Sequence, residues 1–278
     1  MIRALLTRKP LGALGAAALL GMLALTALAD RVAPYGYDEA EIFARLRPPS
    51  GAHWLGTDNL GRDLLSRVIH GSRVSMAVGL GAVALGLLSA TAVGLGSGYF
   101  GGRLDIGVQR LVDAFMCFPL LLVALTIMAL IGPGLGNVIL TLGLVLGVRD
   151  SRVIRAAVLS IKTNLYVEAA RALGGSHAAL IRRHILPNLF APIMILATVN
   201  IGAVILIEAA LSFLGFGVPP PYPSWGGMLA GSGLVYMLQA PWLALWPGVA
   251  LSLTVFGANM LGDALRDLLD PRLRGSAR

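Results

Sequence analysis

Glu208 is a carboxylate set in an apolar string, Val204-Ile205-Leu206-Ile207-Glu208-Ala209-Ala210-Leu211. An ionisable side chain in such a helix is costly, which makes it a functional-site candidate by default. Two readings compete with a place on a solute pathway: a packing residue between subunits, or a carboxylate near the outer membrane interface. Because Glu208 lies late in its apolar stretch, they outweigh it. Other reactive side chains are sparse. His53, His70, His177 and His184 form no cluster with further donors, so no metal site is indicated. Cys117 is the one cysteine, which rules out an internal disulfide, and it falls in an apolar run where a packed thiol is expected. Lys9 and Lys162 are the two lysines, and neither stands in a Gly-x-x-x-x-Gly-Lys-Ser/Thr setting. No nucleotide site can be built on that motif. Ser-His-Asp, HExxH and paired-carboxylate arrangements are also missing, so the composition argues against an enzyme.

The polar passage Tyr166 to Asn188, YVEAARALGGSHAALIRRHILPN, is the stretch whose spacing carries most information. Tyr166, Ala169, Ala170 and Leu173 sit at i, i+3, i+4 and i+7 and share one helix face. Glu168 and Arg171 lie three apart on another face and can pair, for a few tenths of a kcal/mol when exposed. Gly174-Gly175 supplies a left-handed helix stop, and Ser176 can cap a second short helix. Leu180 and Ile181 give that helix an apolar knob beside Arg182 and Arg183. Pro187 suits the first turn of the helix that follows. The passage reads as helix, sharp glycine corner, short helix and return to the membrane. A loop merely lying on lipid headgroups fits the corner less well.

The elements that hold these residues are membrane spans. Hydrophobic residues make up 56% of the 278 and charged residues only 13%, against roughly 25% charged in a soluble domain. Several apolar runs approach or exceed the ~20 residues needed to cross a bilayer. The net charge of +8 is scattered along the chain, with its densest cluster beside spans, as membrane topology requires, and does not indicate nucleic acid. Arg3, Arg8 and Lys9 precede the first run, Leu11 to Ala29. Ala27-Leu28-Ala29 mimics a signal-peptidase site, but the run exceeds the usual signal core of about 7 to 15 residues, which favours a retained span.

Residues 30 to 75 carry six basic and six acidic side chains. Within them the stripe Leu64, Leu65, Val68, Ile69 predicts an amphipathic helix on the outer interface, capped by Thr57 or Asp58. Further spans are expected at about Met76 to Tyr99, Leu111 to Ile131, Leu189 to Leu214 and Pro241 to Gly262. Another, from Asn137, has only about a dozen apolar residues before Arg149. A pair of Arg149 with Asp150 and snorkelling of Arg152 would extend it to about Ile154. Gly94 and Gly98 allow close helix approach, which is expected to serve bundle packing. Trp225 and Tyr236 are expected as interfacial anchors in the loop 215 to 240. Asp263, Arg266, Asp267 and Asp270 make a polar inner end, and Pro271 stops the last helix.

Between Arg149 and Arg183 stand seven basic residues against Asp150 and Glu168, while the turns near 132 to 138 and 215 to 243 carry no Lys or Arg. The positive-inside rule therefore places the 149 to 188 loop, and both termini, in the cytoplasm. The fold class is an all-α membrane protein of six transmembrane helices. It divides into residues 1 to 75 (tail, first span and outer amphipathic segment) and 76 to 278 (five helices and the loop).

Glu168-Ala169-Ala170, then Gly174, then Leu186-Pro187 resemble the EAA loop of bacterial ABC importer permeases. HWLGTDNLGRDLLSRV from His53, LSFLGFG with PSWGGML, and the closing GDALRDLLDPRLR also look like the peptide and nickel branch of that family. His184 suits that branch; Gly147-Val148-Arg149-Asp150 departs from the aromatic residue common there. The resemblance implies a type I ABC importer transmembrane domain in the bacterial inner membrane. It implies one permease subunit working with a second homologous permease, two ATP-binding cassette subunits that hold ATP and Mg²⁺, and an external solute-binding protein. No cofactor is expected in the chain itself. The coupling residues would be Glu168, Ala169, Ala170, Arg171, Gly174, Ser176, Leu180, Ile181 and Pro187. The contrasting expectation is a secondary transporter or channel without ATPase subunits, which should carry more intramembrane ionisable residues than Glu208 and Asp113.

Overall fold

A computed structural model describes residues 9–269. Among them eleven α-helices follow in order: α1 (Pro10–Ala27), α2 (Ala29–Val32), α3 (Leu64–Phe100), α4 (Gly102–Met116), α5 (Leu120–Ile131), α6 (Leu135–Lys162), α7 (Leu165–Ala172), α8 (His177–Leu180), α9 (Leu186–Phe213), α10 (Trp225–Met228) and α11 (Trp242–Leu269). Among the described residues there is no strand, only an isolated bridge between Thr57 and Asp63. Arg3, Arg8, Asp270 and Pro271 lie outside the described residues.

Among the described residues four helical stretches are long and apolar enough to cross a membrane: α1, α3, His177–Phe213 and α11. The bent pair α4–α5 makes a fifth if counted as one span. The remaining helix, α6, has 28 residues, about 42 Å at ~1.5 Å per residue, but Arg149, Asp150 and Arg152 interrupt its apolar length. It ends at Lys162, well beyond the inner boundary expected near Ile154.

The expected third span, Leu111 to Ile131, is broken. α4 and α5 meet at 90° across Cys117-Phe118-Pro119. Pro119 has no N–H to continue α4, and it pushes Phe118 away from helical backbone. Cys117 lies at this break and is exposed, not packed. α4 is fixed to α6 by Asp105, which accepts from Arg155 Nε and Nη2 at 2.6 Å each. Arg152 pairs with Asp113, so it does not snorkel freely.

A second difference concerns Leu64 to Ile69. The stripe does not form a separate interfacial helix; it is the start of α3, which runs unbroken through positions 75 and 76. Asp63, not Thr57 or Asp58, caps it by accepting from Ser66 N at 2.8 Å. Leu64, Val68 and Ile69 are buried, Leu64 and Val68 in a core shared with Met76, Ile205, Trp225 and Leu243. The polar neighbours that made this turn look interfacial are satisfied by the segment ahead of it. Arg67 Nη1 donates to Tyr37 O, and Arg73 makes a bidentate pair with Asp30.

α3 and α6 pack along most of their length. A Cβ on Gly94 would stand 2.5 Å from Ser151 O, so only glycine permits this separation. α1 lies against α11, where a Cβ on Gly15 would come within 2.6 Å of Gly257 O. Lys9 joins Asp267 at the same end.

Candidate docking loop and polar sites in the bundle

α7 and α8 form the corner that the spacing predicts. Gly174 has φ 82°. Gly175 N donates to Ala170 O and Gly174 N to Arg171 O, each at 3.0 Å. These two bonds are the Schellman pair that closes a helix on a left-handed residue. Ser176 then caps α8, its hydroxyl accepting from Ala179 N at 3.3 Å.

The faces differ from the expected arrangement. Val167 is the residue of α7 that turns inward. Leu165 and Leu173 are 83% and 89% exposed, and Tyr166 and Ala169 are exposed beside them. Glu168 and Arg171 are both exposed, and among the described residues no ion pair joins them. Leu180, expected as a projecting knob, is buried in the chain's own core, and Ile181 is half-buried. The outward apolar ridge therefore belongs to α7 and its C-terminal turn.

Three attachments hold the corner to the bundle. Lys162 Nζ donates to Gly98 O at 2.6 Å, and His177 Nδ1 hydrogen-bonds Tyr99 OH at 2.8 Å. Leu180 and Ile185 are buried, Ile185 in a cluster with Tyr99, Val158 and Leu189. Tyr99 and His177 are 78 positions apart, and nothing local in the sequence signals their meeting.

Between α8 and α9 the chain does not break. Ile181–Ile185 is a π-helical turn, with Leu186 N donating to Ile181 O, five residues back. Pro187, in the first turn of α9, explains the widening. Its ring would crowd the carbonyl four residues earlier, and it has no N–H to offer it.

Glu208 is fully buried where α9, α3 and α10 converge. Its Oε1 accepts from Ser212 Oγ at 2.7 Å, and no hydrogen bond of ordinary geometry reaches Oε2 among the described residues. Trp225, expected as an interfacial anchor, is also fully buried. Its Nε1 donates to Val68 O at 3.0 Å and its N to Ser75 Oγ at 3.3 Å. Ser224 caps α10 and stands 3.4 Å from Ser212 Oγ. The segment 224–233 thus folds back into the bundle. Tyr236 is half-buried against the same core.

Asp150 is turned inward and accepts from Asn200 Nδ2, leaving Arg149 exposed; the two do not pair. A side chain that is short and polar on both α6 and α9 makes this joint. The i, i+4 spacing of Asn200, Val204, Glu208 and Ser212 places both carboxylate contacts on one face of α9.

The bundle end opposite the corner holds a cavity of about 510 Å³. Asp58, Arg62 and Arg67 line one side, and Ser212, Tyr222 and Ser224 another. α3 fixes this polarity, because Leu64 stands at the cavity while Tyr99 contacts His177 of the corner.

Residues 82–275 match the family described as binding-protein-dependent transport system inner membrane component. The chain is 38% identical over 269 residues to the dipeptide transport system permease protein DppC of Alkalihalophilus pseudofirmus, covering 97% of this chain and 88% of that one. It is 41% identical over 273 residues to the di/tripeptide transport system permease protein DppC of Pseudomonas aeruginosa, covering 96% and 90%. It is 38% identical over 254 residues to the glutathione transport system permease protein GsiD of Pectobacterium atrosepticum, covering 91% and 84%. An all-helical, apolar bundle carrying a glycine-cornered polar loop, with matches of this extent, belongs to the binding-protein-dependent transport system inner membrane components, the permease subunits of ABC importers.

Proposed function

We propose that this chain is one of two homologous permease subunits of an importer for short peptides. Two ATP-binding cassette subunits dock on the 149–188 loop from the cytoplasm, and a solute-binding protein delivers from the opposite side. ATP and Mg²⁺ sit in the docked subunits. The observation that carries this is the ridge Leu165, Tyr166, Ala169 and Leu173, which is apolar, exposed and held on a closed corner. The excess of Arg and Lys around the loop supports the cytoplasmic side, and with it both termini inside. The names of the three relatives support short peptides as the solute class.

The corner transmits force because it is attached at both ends. α6 runs into it through Lys162, and α9 leaves it without a break. Closure of the ATPase pair displaces α7 and α8, and the two long helices follow. For ATP to bias the transport cycle, the contacts of the ridge must differ between the two states.

The test is co-purification from detergent followed by uptake in proteoliposomes. The expected result is a stoichiometric ATPase pair that is lost with Leu165→Glu plus Leu173→Glu, while the permease stays in the membrane. Uptake by this chain without nucleotide or companion subunits would refute the proposal and favour a secondary transporter or channel.

A further inference from the structure

We infer that the cavity opposite the docking corner is a binding subsite for the carboxylate of a small solute, with Arg67 as its anchoring cation. The inference rests on the short-peptide reading above for the identity of that solute. Arg67 is only 8% exposed, yet it lines the cavity. Its Nη1 is used by Tyr37 O at 2.9 Å, and its Nε lies 3.4 Å from Asp58 Oδ2. Nη2 makes no hydrogen bond among the described residues. A desolvated guanidinium with an unused Nη2 is suited to donate a charge-assisted hydrogen bond to a carboxylate oxygen.

The acid already present does not cancel this. Asp58 Oδ1 accepts from Leu60 N at 2.8 Å and Arg62 N at 3.0 Å, and Oδ2 accepts from Arg62 Nε at 2.7 Å. Its lone pairs are therefore turned into its own turn. Arg62 is further paired with Asp38, whose Oδ1 stands 3.5 Å from its Nη1, so what the wall offers a solute is the unused Nη2 of Arg67 and not a net charge. Glu208 is not on the wall; it stands behind Ser212, which donates to it.

Size fits as well. About 510 Å³ is within the ~300–1,000 Å³ of small-molecule sites. The cavity is floored by Ser212, Ser224 and Gly227, directly over the segment that folds back into the bundle. A solute held here would rest on the plug formed by Ser224 and Trp225. An anionic lipid headgroup offers the same chemistry from a different source, and the test separates the two.

The permease complex in nanodiscs is titrated with Ala-Ala and with its C-terminal amide, in the absence of the solute-binding protein. The expected result is at least a tenfold preference for the acid. Arg67→Gln should abolish that preference and Arg67→Lys should retain part of it. Arg67 is buried, so Asn59→Glu provides a second variant. Asn59 lines the cavity, and among the described residues its side chain makes no hydrogen bond. This variant should weaken the acid about tenfold by charge repulsion and should not weaken the amide, whose remaining charge is positive.

Equal binding of acid and amide, no binding of either, or a preference that survives Arg67→Gln would overturn the inference. So would competitive loss of Ala-Ala binding as phosphatidylglycerol replaces phosphatidylcholine, which would assign the site to a headgroup. Equal binding in a complex that retains its ATPase pair defeats the subsite alone. An acid preference without co-purifying ATPase supports the subsite and defeats the importer reading.

Discussion

Replacing Gly174 isolates the backbone conformation of the docking corner from every other effect. Its φ of 82° lies in the left-handed region, and a Cβ built there would meet nothing within 4 Å. The whole cost of a side chain is therefore conformational, about 1–2 kcal/mol for an ordinary L residue. That corresponds to a factor of about 5–30 against the corner relative to its alternatives. Asparagine tolerates this region better than alanine, and a β-branched residue tolerates it least. ATP-driven uptake in proteoliposomes should fall in the order Gly, Asn, Ala, Val, with Gly174→Val close to inactive. Membrane insertion and melting temperature should stay near wild type, because the position is exposed. Gly175→Ala is the contrast: there a Cβ would strike Ala170 O at 2.7 Å, so even alanine should be disruptive. Wild-type uptake by Gly174→Val, or an order that follows side-chain volume instead of left-handed tolerance, would refute the reasoning.

Other perturbations test the frame around the corner. Gly94→Ala places a methyl 2.5 Å from Ser151 O and should destabilise by about 1–3 kcal/mol, whereas Gly96→Ala meets nothing and should be near neutral; thermal unfolding in detergent measures both. Trp225→Ala should cost about 3–5 kcal/mol by emptying a fully buried site, and Trp225→Phe less, through the lost bond to Val68 O. The Asp30 carboxyl is held below its ordinary range, chiefly by its hydrogen bonds from Arg73. A depressed carboxyl contributes its stability above the unfolded pKa of about 3.9 and loses it as pH falls through the lower folded value. Amide protection in the segment 33–63, corrected for the intrinsic pH dependence of exchange, should therefore be steady from neutral pH down to about 5 and fall only below about 4.

The parts of the fold that were legible in the sequence were those written in local backbone chemistry. Gly174-Gly175-Ser176 dictates a left-handed stop and a hydroxyl cap, and both form. Pro187 dictates a helix start, though its deeper effect is a π turn that keeps α8 and α9 continuous. What hydropathy hides is direction. Leu111 to Ile131 is apolar on both sides of Pro119 apart from Asp113 near its start, so hydropathy gives no sign of the 90° bend. Trp225 resembles a surface anchor because its flanking glycines and prolines look like loop, yet they let the chain fold back and bury the indole. The spacing puts Ala170 on the same face as Tyr166, Ala169 and Leu173 and makes Leu180 a knob, but Ala170 is half-buried and Leu180 buried, since one sequence cannot say which apolar face the bundle already covers. Pairs such as Tyr99 with His177, or Asp150 with Asn200, join distant helices and have no local signature.

The 37 residues of His177–Phe213 amount to one stiff lever about 55 Å long at ~1.5 Å per residue. Glu208 sits about 46 Å from its His177 end, so a tilt of about 10° about that end would sweep the carboxylate some ~8 Å sideways. Only two places can absorb the swing, the widened turn at Ile181–Ile185 and Pro192. How much of a displacement at the His177 end would reach the carboxylate beside the buried indole therefore depends on the give at the widened turn and at Pro192.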